Sequence, residues 1–237
     1  MHTAFPSLLI SAAALALLGP SPDWVLASQV SNGDVSAAGS CESAEECFAA
    51  AAQPKERLGN QLTKDQVSAL KLERLRLVTE RFPGSVWAKR AGVLSGVLLV
   101  ERNPSAALPF LRAGQRDLPV LDDYLRLWMG EATLHLGDAK EAAGLFESVI
   151  QAVPDSNLSS LVAFRAGEAW YQAASCPEAL GWLAKAVTDS DKDKDPLMSK
   201  AWLRMAACYL RAGQVAEGRT TLKQLWVRFA YAPEAKE

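Results

Sequence analysis

The residues able to do acid–base or nucleophilic chemistry are few in this sequence. The chain contains only two histidines, His2 and His135. His135 falls in a helical pattern beside a Gly-Asp turn, where a surface or capping role is more common than that of a general base. The paired acids of "ESAEEC" and "LDD" stand at predicted helix starts, where carboxylates stabilise the helix dipole. Serine-hydrolase, zinc-protease and phosphate-loop motifs are absent from the sequence, so no catalytic residue and no cofactor are predicted.

The four cysteines favour disulfide bonds over a metal site. They are Cys41, Cys47, Cys176 and Cys208. No CxxC pair occurs, and a zinc site needs clustered thiolate or imidazole ligands. An even number in an exported chain permits two disulfides in any of three connectivities, and Cys208 in "RMAACYL" also fits a small core residue. The acids of "DSDKDKDP" (189–196) alternate as in a calcium loop but lack its Gly and its Glu, which indicates a solvated loop.

The N-terminus has the pattern of a secretory signal. "FPSLLISAAALALLGP" (5–20) carries no charge, and Val25 and Ala27 are small residues before a predicted cut at Ser28. The sequence therefore predicts a signal peptide over 1–27, a flexible linker over 28–42 and a periplasmic location. A cleaved signal leaves no stable membrane span, whereas an uncleaved one would anchor the chain.

The composition limits the classes of partner. The chain has 237 residues, of which 49% are hydrophobic and 22% charged, and its formal net charge is −2. These values are ordinary for a globular protein, and they argue against a general nucleic-acid binder, which carries a basic patch and a high pI. No stretch alternates polar and apolar residues as a half-buried strand does, so an all-α fold is predicted.

Three stretches of the sequence repeat one pattern. They begin "LWMGEATLHLGDAKEAAG" at Leu127, "FRAGEAWYQAASCPEALG" at Phe164 and "LRMAACYLRAGQVAEGRT" at Leu203. Small residues align at Gly130, Gly167 and Ala206, with offsets of 37 and 39 residues. A small column inside helical segments at this period is typical of helical repeats, because paired helices approach closely there.

The pattern resembles the tetratricopeptide repeat. That repeat has a small residue at position 8, Ala at 20, an aromatic residue at 24 and Pro at 32, and the first unit supplies Gly130, Ala142, Phe146 and Pro154. The resemblance implies a right-handed α-solenoid of antiparallel helix pairs built from degenerate repeats. The repeat region is predicted over 123–237, with three units at about 123–156, 160–193 and 199–233.

Additional helical pairs are predicted over residues 43–122. A helix over 63–82 has Thr63 as its cap and Pro83 after its end. A second, more apolar helix covers 85–102. A third covers 104–115, where Pro109 is expected to kink or shorten it.

One stripe of the first helix in each unit is predicted to bind a partner. Repeat positions 2, 5, 9, 12 and 13 share a helical face, which lines the concave side of such a solenoid. The mixture of aliphatic, aromatic and charged groups on that stripe suits an extended peptide or a partner's helix. The candidate residues are Tyr124, Leu127, Glu131 and His135 in the first unit, Phe164, Glu168, Tyr171 and Gln172 in the second, and Leu203 and Arg211 in the third.

A longer stretch resembles the helical region of soluble lytic murein transglycosylases. The similarity covers about residues 64–237, and "LDDYLRLWMGEA" and the C-terminal "LWVRFAYAPEAKE" carry it best. In that family a ring- or U-shaped helical scaffold supports a lysozyme-like domain, which cleaves peptidoglycan glycan strands with one catalytic Glu. This chain has no "ES" followed by a "GLMQ"-like segment, so no catalytic residue is transferred to it.

The resemblance implies a non-catalytic periplasmic scaffold, a truncated or split relative of those enzymes. Its expected partners are a protein or peptidoglycan, and a separately encoded catalytic domain is a further candidate. The alternative prediction is an independent tetratricopeptide adaptor that binds a protein partner during cell-envelope assembly. Neither prediction includes nucleic acid.

Overall fold

A computed structural model describes residues 41–52, 63–189 and 196–236. Within these ranges the chain forms ten α-helices and two short 3-10 helices, and no residue is in a strand. The predicted signal peptide, nearly all of the predicted linker and most of the predicted loop over 189–196 fall outside the described residues. The α-helices are α1 (Ala44–Ala52), α2 (Lys64–Arg81), α3 (Val86–Leu99), α4 (Pro104–Asp117), α5 (Asp122–His135), α6 (Ala139–Ala152), α7 (Ser159–Gln172), α8 (Cys176–Asp189), α9 (Pro196–Arg211) and α10 (Val215–Arg228). The 3-10 helices are Pro119–Leu121 and Pro233–Lys236.

Consecutive helices pack against one another along the whole series. Each helix contacts its neighbour in sequence, and α1 also packs on α3 and α7 on α9. The predicted all-α solenoid is therefore confirmed. The helix pairs α5/α6, α7/α8 and α9/α10 form the three repeat units, and α9 begins three residues before the predicted interval.

Turn and cap residues explain most of the helix ends. Thr63 caps α2 as predicted, and it forms a capping box with Gln66, because each side chain accepts a hydrogen bond from the other residue's backbone N–H. The turn between the helices of each unit contains one residue with a left-handed backbone. These residues are Gly137 (φ 89°), Ala174 (φ 60°) and Gly213 (φ 74°), which align across the three units.

The small-residue column allows the two helices of a unit to approach closely. A Cβ atom at Gly130 would lie 2.5 Å from the Phe146 ring, and one at Gly167 would lie 2.6 Å from Leu183. No real Cβ tolerates such distances without movement of its neighbour. In the third unit the close approach moves to the opposite helix, where a Cβ at Gly218 would lie 2.7 Å from Leu210.

The core is a series of linked clusters along the solenoid. The first joins α1, α2 and α3 through Cys41, Cys47, Leu75, Val78 and Ala91. The next lies between α3, α4 and α5, and two more fill the spaces between the repeat units. Each cluster contains residues from consecutive helices, so stability comes mainly from contacts between neighbours.

Two features of the chain needed the structure to define them. Helix α4 continues through Pro109 to Asp117, so of the two expected effects of this proline, a kink or a shorter helix, the second does not occur. The cysteines pair as Cys41–Cys47 and Cys176–Cys208, which resolves the three open connectivities. The second disulfide joins α8 of one unit to α9 of the next.

Candidate functional site

A groove crosses the first helices of all three repeat units. Its volume is about 510 Å³. Helix α5 contributes two residues at its C-terminal end, and α7 and α9 contribute four each. The lining residues are Leu134, His135, Phe164, Arg165, Glu168, Gln172, Leu197, Lys200, Leu203, Arg204 and Glu234.

The close packing within each unit positions this groove. Gly130 and Gly167 let α6 and α8 lie against α5 and α7, and α6 and α8 in turn pack against α7 and α9 of the following units, which fixes the positions of the first helices. Helix α7 also contacts α9 directly. Ser199 at the start of α9 donates to Glu234 Oε2 at 2.9 Å, which brings the C-terminal 3-10 helix to the groove.

Two ion pairs join the first helices across the groove. Arg165 on α7 donates to both carboxylate oxygens of Glu131 on α5. Arg204 on α9 donates from Nε to Glu168 on α7, at 3.1 Å to Oε1 and 3.3 Å to Oε2. Glu168 is 9% exposed, so its charge needs this partner. The same step along the repeat, Glu at position 9 to Arg at position 6 of the next unit, thus occurs twice and forms a ladder of two rungs.

The ladder ends at both sides for a reason visible in the sequence. Position 6 of the first unit is Trp128, and position 9 of the third unit is Ala207. Neither residue can form a rung, so the ladder spans these three units and stops. The groove consequently has polar links between units, and Leu134, Phe164 and Leu203 are among its apolar lining residues.

Aromatic and cationic side chains meet at one edge of the groove. The guanidinium carbons of Arg204 and Arg211 lie 4.8 Å and 4.3 Å from the centroid of the Tyr171 ring. Such contacts favour the positively charged group and fix the ring. Arg204 is therefore held by Glu168 and by Tyr171 together, which makes it a well-positioned groove residue.

The structure brings half of the predicted partner-binding residues to the groove. Those that line it are His135, Phe164, Glu168, Gln172 and Leu203. Glu131 and Tyr171 lie beside it, through the contacts described above, and Arg211 packs on Tyr171. Tyr124 is exposed at the start of α5, away from the lining.

Leu127 was assigned to this surface wrongly. Its side chain is 6% exposed and lies in the cluster with Ala142, Ala143 and Phe146. Helix α6 packs over this part of α5, which removes Leu127 from solvent. Phe164 is a related case, because it lines the groove although it is only 2% exposed.

Six lining residues were not among the predicted candidates. Two of them, Leu134 and Lys200, occupy positions 12 and 2 of the predicted stripe. The other four, which lie off the stripe, are Arg165, Leu197, Arg204 and Glu234.

The sequence contained a signal for the two arginines. Arg165 and Arg204 occupy the same repeat position and follow the aligned acids Glu131 and Glu168 by 34 and 36 residues. Glu234 reaches the groove through the 3-10 helix, which no periodic pattern predicts.

The groove offers hydrogen-bonding and apolar contacts rather than a nucleophile paired with a base. His135 is exposed at the end of α5, beside Gln172 in the lining. In the part of the chain that the structure describes, no three His, Cys, Asp or Glu residues converge as metal ligands. Across the same part, no helix combines the length and apolarity that crossing a membrane requires.

Comparison with known proteins identifies the type of repeat. Residues 124–156 and 200–230 match the tetratricopeptide repeat family. These two matches overlap the first and third predicted units. No curated protein matches the chain.

A solved structure shares the architecture. It is a crystal structure of nearly identical TPR-like repeats from a protein of Podosopora anserina assigned as a kinesin light chain. The TM-score is 0.59 at 16% identity, over 78% of this chain and 96% of the other. At that identity the likeness shows the fold alone. The chain is thus an α-solenoid that contains tetratricopeptide repeats, an architecture that commonly mediates protein–protein interaction.

Proposed function

We propose that this chain is an exported, non-catalytic repeat scaffold that holds an extended segment of a partner protein in its groove. The groove across α5, α7 and α9 is the observation that carries the proposal. A groove that combines polar and charged side chains with some apolar ones can hold the backbone and the side chains of an extended peptide. Gln172 and Lys200 are exposed on its rim, where they can bond to a peptide backbone or a carboxylate.

Two further observations support export to the periplasm. The N-terminal sequence has the pattern of a signal peptide, and all four cysteines are paired in disulfides. Disulfides persist in oxidising compartments and are rare in the cytosol. Cell fractionation and N-terminal sequencing of the expressed chain test this part, with a periplasmic product beginning at Ser28 as the expected result. An intact N-terminus in the cytosolic fraction would contradict it.

The finer proposal is that the partner belongs to the machinery of the cell envelope. It is supported by the resemblance of residues 64–237 to the helical region of lytic transglycosylases. Peptidoglycan itself is the second candidate ligand. The groove favours a peptide over glycan, because Phe164, the one Phe, Tyr or Trp side chain among the described lining residues, is 2% exposed and offers little area for a sugar ring.

A display library of random peptides, selected on the purified chain, tests the groove. Selected peptides should bind about tenfold more weakly to Lys200→Glu and to Leu203→Asp, because the first change reverses a charge on the rim and the second places a charge at an apolar lining residue. Lys140→Glu on the exposed surface of α6 is the matched control and should leave binding unchanged. Equal binding to all three variants would show that the groove is not the peptide site.

Sedimentation with peptidoglycan sacculi separates the two candidate ligands. The peptide proposal expects no co-sedimentation and no soluble muropeptides. Co-sedimentation that is lost in Lys200→Glu would show that the groove binds peptidoglycan instead of a peptide. Release of anhydro-muropeptides would overturn the non-catalytic proposal.

A further inference from the structure

The last helix of the third unit exposes apolar side chains that its counterparts cover. Leu222 on α10 aligns with Phe146 on α6 and Leu183 on α8, which are both 0% exposed, yet Leu222 is 37% exposed. Trp226 aligns with Ile150 and Val187, which are half-buried, and is 64% exposed. Val215 on the same helix is 49% exposed. The stripe Val215, Leu222 and Trp226, spaced by seven and four residues, is one helix face, here named the α10 face.

The first two units show what covers this face. Phe146 packs with Val162, Ala166 and Ala169, which belong to the first helix of the following unit. Leu183 packs in the same way with Ala201, Met205 and Cys208 of α9. The stripe position of Val215 is occupied in the second unit by Cys176, which is bonded to Cys208 of the next helix. The same interface, between the second helix of one unit and the first helix of the next, therefore occurs twice in the molecule. The surface that the second helix contributes, the inner half of this interface, occurs a third time on α10.

The C-terminal 3-10 helix does not supply the outer half. It contacts α9 and α10. Trp226 and Val227 nevertheless stay 64% and 63% exposed, and Tyr231, in the connection to it, is 99% exposed. Among the described residues, nothing takes the place that α7 and α9 take over α6 and α8.

The charges of α10 indicate the chemistry of the partner. The helix contains Arg219, Lys223 and Arg228 against the single acid Glu217. Lys223 aligns with Glu147, whose carboxylate accepts a hydrogen bond from Trp170 of the next helix at 2.6 Å. At the position where the first unit offers an acceptor to its covering helix, the third unit offers a donor.

We propose that the α10 face binds an amphipathic helix of a partner protein that has small apolar residues along its seam and acidic residues beside it. Helix α7 presents Val162, Ala166 and Ala169 to the equivalent surface, and α9 presents Ala201, Met205 and Cys208, so most of these covering residues are small and apolar. Carboxylates on the partner pair with Arg219 and Lys223, which are exposed. A second copy of α10 would oppose cation to cation, so self-association through this face is disfavoured. This surface lies outside the groove and is independent of the peptide proposal.

Fluorescence anisotropy with synthetic helical peptides tests the proposal. The probe is a peptide of 14 residues, the length of α10, with Ala and Leu at the seam positions and Glu beside them. A second peptide keeps the seam and replaces every Glu with Lys. The acidic peptide should bind the purified chain at least about tenfold more tightly than the basic one, with a marked loss of affinity at high salt.

Three variants locate the binding. Trp226→Lys should remove most of the binding, and Lys223→Glu should reverse the preference between the two peptides. Val120→Lys is the control, because Val120 is 85% exposed but lies on the first 3-10 helix, far along the chain from α10. Absence of binding by the acidic peptide, or binding that Trp226→Lys leaves unchanged, would overturn the proposal. A concentration-dependent dimer in sedimentation that Trp226→Lys dissolves would also overturn it, since a second copy would then cover the face.

Discussion

The two ends of the solenoid differ in how far their apolar helix surfaces are covered. At the N-terminal end, α1 lies over α2 and α3, and the Cys41–Cys47 disulfide lies in the core beneath it. Phe48 on α1 packs on Trp87, with the ring centroids 5.3 Å apart, and Arg81 donates to the Cys41 carbonyl at 3.2 Å. At the C-terminal end, α10 leaves Leu222 and Trp226 exposed.

This difference shows that burial in a repeat protein depends on the neighbour rather than on the local sequence. Leu183 and Leu222 are the same residue type at the same repeat position, yet only the first has a helix over it. A short additional helix at the end of a solenoid, such as α1, covers an apolar surface that would otherwise be exposed to solvent. The apolar surface of α10, in contrast, is left exposed by the described residues.

The largest expected effect concerns the two disulfides. In the chain-entropy description, closing a longer loop stabilises the folded state more. The separations are 6 residues for Cys41–Cys47 and 32 for Cys176–Cys208. Replacing the two cysteines of one pair by Ala should therefore lower the free energy of unfolding, by about 2 kcal/mol for Cys41–Cys47 and about 4 kcal/mol for Cys176–Cys208. Urea denaturation followed by circular dichroism measures both, and a larger loss at the N-terminal pair would break the comparison.

Truncation of one leucine at each end tests the role of the neighbour directly. Leu75→Ala, beneath α1, should cost about 3 kcal/mol, because the side chain is 0% exposed and leaves a cavity. Leu222→Ala should cost less than about 1 kcal/mol, because its side chain is already partly in water. Leu183→Ala is the matched control at the same repeat position and should resemble Leu75→Ala. Similar losses for Leu183→Ala and Leu222→Ala would contradict the neighbour argument.

Helix capping offers a smaller contrast between the ends. Thr63 caps α2 with its side chain, whereas Gln214 makes no side-chain cap at α10. The aligned residue in the first unit, Asp138, accepts from the Glu141 N–H at 3.0 Å with a similar backbone (φ −88°, ψ 75°, against −82° and 69° at Gln214). Gln214→Asp should raise the free energy of unfolding by about 1 kcal/mol.

The control for this prediction is Gln214→Ala, which removes the amide and adds no cap. It should leave the urea midpoint nearly unchanged, whereas Gln214→Asp should raise it. An equal midpoint for the two variants would mean that α10 gains nothing from a cap and that its N-terminus frays at no cost to the fold.

The smallest expected effect concerns one surface carboxylate near the N-terminal end. Arg76 donates to Glu73 and also pairs with Glu80, and its hydrogen bond lowers the pKa of Glu73 below the usual 4.5. A carboxylate with a lowered pKa stabilises the fold above its usual pKa, and this contribution disappears as the pH falls through the lowered value. Arg76→Ala should return the pKa of Glu73 towards 4.5 in an NMR titration. An unchanged titration curve would show that the pair does not persist in solution.

The sequence predicted the helices and their joints because these depend on local rules. Thr63 with Gln66, the turns at Gly137 and Gly213, and the column of Gly130 and Gly167 are each recognisable within a few residues or at a fixed period. The period also led to five of the groove residues. The small-residue column and the turn residues recur at the repeat period, so the sequence contains each of these signals more than once.

What the sequence did not predict depends on contacts between units. Leu127 lies on the predicted stripe, but α6 covers it. The repeat period does not show which positions of the stripe a neighbouring helix buries. Arg165 and Arg204 were missed because a rung needs the acid of one unit and the base of the next to be compared across about 35 residues. The pairing of four cysteines likewise needs the distance between helices, which spacing alone does not contain.

The bond between Cys176 and Cys208 also has a mechanical consequence. Because it closes a loop of 32 residues, tension applied to the two ends of the chain cannot extend that segment while the bond is intact. The hidden contour length is roughly 110 Å, at about 3.5 Å for each residue. The segment from Cys176 to Cys208 would therefore remain a closed loop under load while the helices before it are extended. The groove residues of α9 lie within this loop.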